Sequence, residues 1–215
     1  LSMVINAASS GISATQSDSS DYQVVIPEQT IKPRDSMKTG SLDLCGGTIP
    51  QAENFSATRV DPGGSYNDPG EGEKPRVVVD ECSWSVIPAG GIGSPWKLDF
   101  SYSSFVSDEE GGEASGEAER EYQERMSQLK ELELESSTIG SAEVADESWY
   151  VHGLDASGFT IYAVVIQSGD TVYEMKFESN SNFSSGELIP ISHFQNEQDA
   201  LAEFIEVRLG IIGPG

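Results

Sequence analysis

Hydrophobic and polar positions alternate most cleanly in the middle of the chain. From Val77 to Val86 a β-branched start leads into Cys82, Trp84 and Val86 on one side and Glu81, Ser83 and Ser85 on the other. A period of two is the mark of a strand with one face buried. After the loop Pro88–Pro95 (PAGGIGSP), the residues Trp96, Leu98, Phe100 and Tyr102 alternate with Lys97, Asp99, Ser101 and Ser103. The two runs predict a long-looped hairpin, dry on one face and wet on the other. Phe159–Gln167 (FTIYAVVIQ) and Thr171–Glu178 (TVYEMKFE) flank Ser168-Gly169-Asp170 and predict a second hairpin. One more strand begins at Trp149, and Tyr22–Pro27 (YQVVIP) is a short strand ended by proline.

Two stretches change period. Ala118, Tyr122, Met126, Leu129 and Leu132 recur at steps of three and four, so Glu117–Leu134 is an amphipathic helix with Ser115 as its N-cap. Leu201, Phe204, Ile205 and Leu209 form the stripe of a second helix, Asn196–Leu209, with Asn196 as N-cap and Gly210 as the residue that ends it. Between the strands, DPGGSYNDPGEGEK (Asp61 to Lys74) holds Pro, Gly and Asp in turn-forming combinations and reads as a loop. Hairpin-joined strands with helices between the groups predict an α+β fold, an antiparallel β-sheet covered by helices. The sheet belongs to a single domain over residues 22–215, preceded by a flexible, disordered Ser-rich leader over residues 1–21.

Charge narrows the partners. The chain has 36 acidic and 12 basic side chains among 215 residues, a net of −24. Nucleic acid binding runs on Lys and Arg, and so does docking on an anionic membrane; neither fits. The charge is also local. Ser101–Tyr150 holds 14 acidic and 3 basic residues, 3 − 14 = −11, so much of it is a linker and the outer face of one helix. No run of about 18 apolar residues is present to cross a membrane. The N-terminal segment lacks the basic and apolar regions of an intact signal peptide. A Ser-rich leader of this kind suits a spacer left after removal of a signal or of a lipid anchor that holds a domain at the membrane; a frayed terminus is the other reading.

The candidate chemistry is sparse. Cys45 and Cys82 are 37 positions apart, and with only His152 and His193 in the chain no zinc spacing can be built. The two cysteines are a structural disulfide or two unrelated buried thiols. A disulfide would stabilise the fold by roughly 4 kcal/mol, and only in an oxidising compartment. The nearest approach to a nucleophile elbow, Gly63-Gly64-Ser65-Tyr66-Asn67, lacks the final glycine and follows no strand. Both histidines read as ordinary surface or edge residues, His152 on a strand and His193 in the loop before the last helix. Calcium is the metal best suited to so many carboxylates, with Asp108-Glu109-Glu110 and the Asp61–Glu73 loop as candidate ligands, although neither has an EF-hand register. Gly90-Gly91-Ile92-Gly93 lacks both the dinucleotide and the P-loop pattern and reads as a hairpin loop. No cofactor motif is present. Trp84, Trp96, Trp149, Tyr102 and Tyr162 lie on strands, where they pack beneath helices or line an apolar pocket between sheet and helix.

Leu42–Pro50 (LDLCGGTIP), together with Cys82-Ser83-Trp84, resembles the cysteine-containing extracytoplasmic domains of actinobacterial cell-envelope lipoproteins, related to the sensor domains of some bacterial Ser/Thr kinases. The order of elements from Leu42 to Leu209 follows the same pattern. The resemblance implies a Cys45–Cys82 disulfide and an extracytoplasmic domain, secreted or anchored in the cell envelope, that binds or senses without catalysis. Its partner would be a small molecule or an envelope protein. The chain departs from the family in having no lipid-attachment cysteine, no kinase portion and fewer cysteines. Two other classes stay open: a secreted hydrolase using carboxylates or His152, and an acidic structural surface protein that binds divalent cations.

Overall fold

A computed structural model of the chain describes residues 37–70, 72, 76–89, 94–106, 113–142, 144–180 and 188–212. Seven strands form one antiparallel sheet: β1 (Ala57–Arg59), β2 (Arg76–Val86), β3 (Trp96–Val106), β4 (Glu135–Gly140), β5 (Glu147–Leu154), β6 (Phe159–Ser168) and β7 (Thr171–Asn180), in the spatial order β1-β2-β3-β7-β6-β5-β4. Two helices, α1 (Glu113–Lys130) and α2 (Ile191–Ile212), complete the α+β fold expected from the sequence. After β3 the chain crosses through α1 to the far edge of the sheet. It then walks back by hairpins from β4 to β7, which pairs with β3.

Each face has its own core. On the first, Trp96, Leu98, Phe100 and Tyr102 of β3 lie beside Tyr162, Val164 and Ile166 of β6 and Tyr173, Met175 and Phe177 of β7. α2 covers them with Phe194, Leu201, Ala202, Ile205 and Leu209. Trp96 and Phe194 stack with centroids 4.4 Å apart, and Tyr162 and Phe194 lie 5.7 Å apart. The rest of this face is covered by the LDLCGGTIP segment, whose Leu42, Leu44, Cys45 and Ile49 are buried. That segment is a short helical turn, Leu44–Thr48, capped by Asp43, which accepts from the Gly46 amide. A Cβ on Gly46 would sit 2.6 Å from that carboxylate, so any other residue there would have to push the cap aside. Tyr102 donates its hydroxyl to the Leu42 carbonyl at 2.8 Å, and the Cys45–Cys82 disulfide ties the turn to β2 with Cα atoms 5.9 Å apart. The disulfide is thus formed, and it is compatible with an oxidising compartment.

The second core is smaller. α1 turns Ala114, Ala118, Tyr122 and Leu129 toward Val151 of β5, Ala163 and Val165 of β6, and Val172 of β7. Strand β6 lies under a helix on both faces, which accounts for its nearly unbroken apolar text. Trp149 belongs to this second face, where Lys130 lies 5.3 Å above its ring.

Several boundaries differ from the sequence expectation. α1 starts at Glu113 and ends at Lys130, so Ser115 lies within its first turn and is not a cap. α2 starts at Ile191, directly after Pro190, whose carbonyl accepts from the His193 amide. Asn196 and Gly210 therefore lie inside the helix, and His193 is helical instead of looped. Proline immediately before a helix supplies the fixed φ that the first turn needs, a stronger signal here than the asparagine. The leader, the Tyr22–Pro27 strand, Gly90–Gly93 and Asp108–Glu110 lie outside the described residues.

Candidate functional site

The register of the sheet makes the second face polar at one end. Glu81 of β2 pairs with Ser101 of β3, Ser101 with Glu174 of β7, and Glu174 with Val165 of β6. Along this one row the face changes from polar to apolar. α1 covers the apolar end with Ala114, Ala118, Tyr122 and Leu129 and leaves the polar end open. The result is a groove of about 450 Å³, floored by Val79, Ser101, Ser103 and Glu174 and walled by Glu121, Glu124, Arg125 and Gln128 of α1.

Arg125 joins the wall to the floor. Its Nε donates to Glu121 at 2.8 Å, Nη1 to Ser101 Oγ at 2.9 Å and Nη2 to Ser103 Oγ at 2.9 Å. Three of the five N–H donors of the guanidinium are engaged in this way, and the planar group fixes both hydroxyls. Ser103 in turn donates to Glu121. Glu174 is largely buried in the floor. Burial holds its carboxyl above the ordinary value, Arg125 and Lys176 pull it down, and Asp99 pushes it up. Asp80, bordering the groove on β2, is also held up by burial, against the donors Ser65 Oγ and the Glu81 amide. Carboxylates and hydroxyls dominate the surface. Such a surface offers hydrogen-bond acceptors and a negative local field.

The residues singled out in the sequence fall elsewhere. His152 is 3% exposed, with Nε2 against the Ile189 carbonyl at 2.9 Å and its ring near Tyr162 and Phe194. It is a buried histidine of the first core and not the surface or edge residue its strand position suggested. Burial lowers its pKa. Trp84, Trp96, Tyr102 and Tyr162 pack in that core, so these aromatic strand residues mainly fill space, and of the four Tyr102 alone also borders the groove. Ser65, from the Gly-Gly-Ser segment, bonds Asp80 and the Glu81 carbonyl at the groove rim, on no strand-to-helix turn.

The aspartates of the Asp61–Glu73 loop tie that loop down. Asp61 accepts from Arg59, the Gly63 amide and the Ser83 amide; the Arg59 guanidinium is the main reason its pKa falls to about 2. Asp68 accepts from Arg76 and from the amides of Gly40 and Gly70, and Arg76 holds it well below the usual carboxylate range. This second ion pair is nearly closed to solvent, at 4% and 2% exposure. Among the described residues no group of three His, Cys, Asp or Glu side chains is placed to hold a metal ion. No described helix is long and apolar enough to cross a membrane.

Fold and groove together define an α+β sheet-and-helix domain with a polar surface cleft between α1 and the sheet. No protein-family model, curated protein or solved structure matches the chain. The Arg125 and Glu174 constellation is invisible in the sequence because no local spacing links the two residues. Only the β3–β7 register brings Glu174 beside Ser101.

Proposed function

We propose that this chain is an extracytoplasmic binding module, exported or held at the cell envelope, which takes a small polar ligand in the groove between β2, β3, β7 and α1 without transforming it. The observation that carries the reading is the Arg125 clamp. A guanidinium that fixes two serine hydroxyls and a glutamate in an open cleft builds a pre-ordered hydrogen-bonding surface, and preorganisation is what a binding site needs. The buried Cys45–Cys82 disulfide supports export, and LDLCGGTIP with Cys82-Ser83-Trp84 supports kinship with actinobacterial envelope lipoprotein and sensor domains. The negative field of the groove favours ligands that carry hydrogen-bond donors.

Ligand-observed NMR with a panel of small amines, polyols and sugars tests this. At least one compound is expected to bind to the wild-type chain and to lose binding in Ser101→Phe, which fills the groove from its floor. A panel that binds nowhere, or binds Ser101→Phe equally well, would sink the reading.

A second reading rests on Glu174. A carboxyl held up by burial, in a cleft with Glu121 and Glu124, is the arrangement that lets one acid donate a proton while another stays ionised. Under it the protein is a secreted hydrolase. Turnover of a panel compound in the same NMR tubes, abolished by Glu174→Gln, distinguishes the two readings.

A further inference from the structure

The outer side of α2 carries a second apolar stripe. Away from the buried set of Phe194, Leu201, Ala202, Ile205 and Leu209, the residues Ala200, Phe204, Val207 and Ile211 follow at steps of four, three and four. These are successive d and a positions of a heptad, the narrow seam by which two helices pair, not the broad stripe by which one helix covers a sheet. Phe204 is half-buried and already packs in part against the first core, whereas Val207 and Ile211 are 59% and 64% exposed, the large apolar side chains most open to water on the described helices.

The flanking charges choose the partner and its direction. Glu203 precedes the a-position Phe204 and so stands at g; Arg208 follows the d-position Val207 and stands at e. Both are exposed, and neither takes part in the ion pairs found among the described residues. When two copies of a helix run parallel and in register, each g residue meets the e residue five positions on in the other copy. Glu203 of each copy then faces Arg208 of the second copy, twice by symmetry. An antiparallel pair would set Glu203 against Glu203 and Arg208 against Arg208.

We propose that α2 is a homodimer interface, in which two copies of this chain pack parallel and in register about a twofold axis along the helices. The contact is isologous, with Phe204, Val207 and Ile211 each meeting their own counterpart. The seam is only about two heptads long, below the size of a standard interface, so the equilibrium sits in the micromolar range or weaker. Self-association at this helix is independent of whatever occupies the groove on the opposite side of the sheet.

Sedimentation velocity on the full chain, from micromolar to millimolar concentration, tests the proposal. A reversible monomer–dimer equilibrium is expected, weakened by more than about tenfold in Ile211→Glu, whose side chain is on the surface and leaves the fold intact. Arg208→Glu should weaken it as well, and Glu203→Arg combined with Arg208→Glu should restore it. Val207→Cys should give a disulfide-linked dimer on mild oxidation, because parallel register sets position 207 opposite itself. A chain monomeric throughout, a dimer indifferent to Ile211→Glu, or a Val207→Cys variant that fails to cross-link overturns the proposal.

Discussion

On one face of the sheet, Trp96, Tyr162, Phe177 and Phe194 interlock beneath α2, and the disulfide pins a buried turn across the remaining strands. On the other face, α1 rests on alanines and valines, and the open strands beside it are dressed with serines, glutamates and an arginine. The same strands supply both surfaces, because alternate side chains point to opposite sides. The first face makes the fold persist. Relieved of that duty, the second can leave polar groups in a cleft, where burial perturbs a carboxyl such as Glu174. Core and groove are separated by one residue along β3: Phe100 is in the core, and Ser101 is in the groove.

The contrast can be broken by mutation, and the largest effect is expected on the aromatic face. Phe194→Ala removes the ring that touches Trp96, Tyr162 and Phe177, and should cost about 3–5 kcal/mol in denaturant unfolding. A loss near that of a surface substitution would show that the stability lies elsewhere. Replacing Cys45 and Cys82 together by alanine should cost roughly 4 kcal/mol on the chain-entropy account, measured against the oxidised wild type.

Acid gives an intermediate test. Asp61 and Asp68 both titrate below their unfolded value of about 3.9, so their contribution is fully present above that pH. It is lost as pH falls through the folded value, about 2 for Asp61. Thermal melts between neutrality and pH 2 should therefore lose stability most steeply below about pH 4, and Asp61→Asn should flatten part of that slope.

The groove face should respond least. Arg125→Met should cost only about 1–2 kcal/mol, since Glu121 is 28% exposed and can turn to water, and the buried Ser103 keeps Glu121 as a partner. Glu174→Gln reverses the sign. The folded-state pKa of Glu174 is raised, so its ionised form is disfavoured by folding at neutral pH. The glutamine variant should be slightly more stable than wild type at pH 7, and the advantage should vanish as pH falls into the ordinary carboxylate range. Urea midpoints at the two pH values check this, and a variant less stable at pH 7 would mean that Glu174 is held by partners that favour its charge.

Most of this architecture is legible in the sequence wherever a side chain has only one face to satisfy. Val77–Val86 and Trp96–Ser103 alternate because one face is wet, and the Ser168-Gly169-Asp170 turn announces its hairpin. Ala57–Arg59 and Glu135–Gly140 escape notice because edge strands are short and polar, with no alternation to read. β4 is further broken by a bulge in which Ser136 adopts φ 52°. Gly153 opposite it carries a different signal: a Cβ there would lie 2.9 Å from the Glu135 carbonyl. His152 misleads for another reason, since a histidine on a strand points to core or solvent according to which parity is buried. The groove is the least legible part, because its pairs are set by strand register and by where α1 comes to rest.

The crossing of the chain from β3 through α1 to β4 has a consequence in time. β2 and β3 can zip together, and the Cys45–Cys82 bond can form, using only residues that emerge early from a ribosome or an export channel. β4 to β7 is a meander whose contacts are local. The β3–β7 seam joins these two halves and must close over the longest loop in the sheet, so it is the last ladder to form. Until then β3 presents a bare edge rich in Trp, Phe and Tyr. Under the proposed export, the disulfide can settle in the oxidising compartment while that edge is still unpaired, and this is the interval in which misfolding competes with the finished sheet.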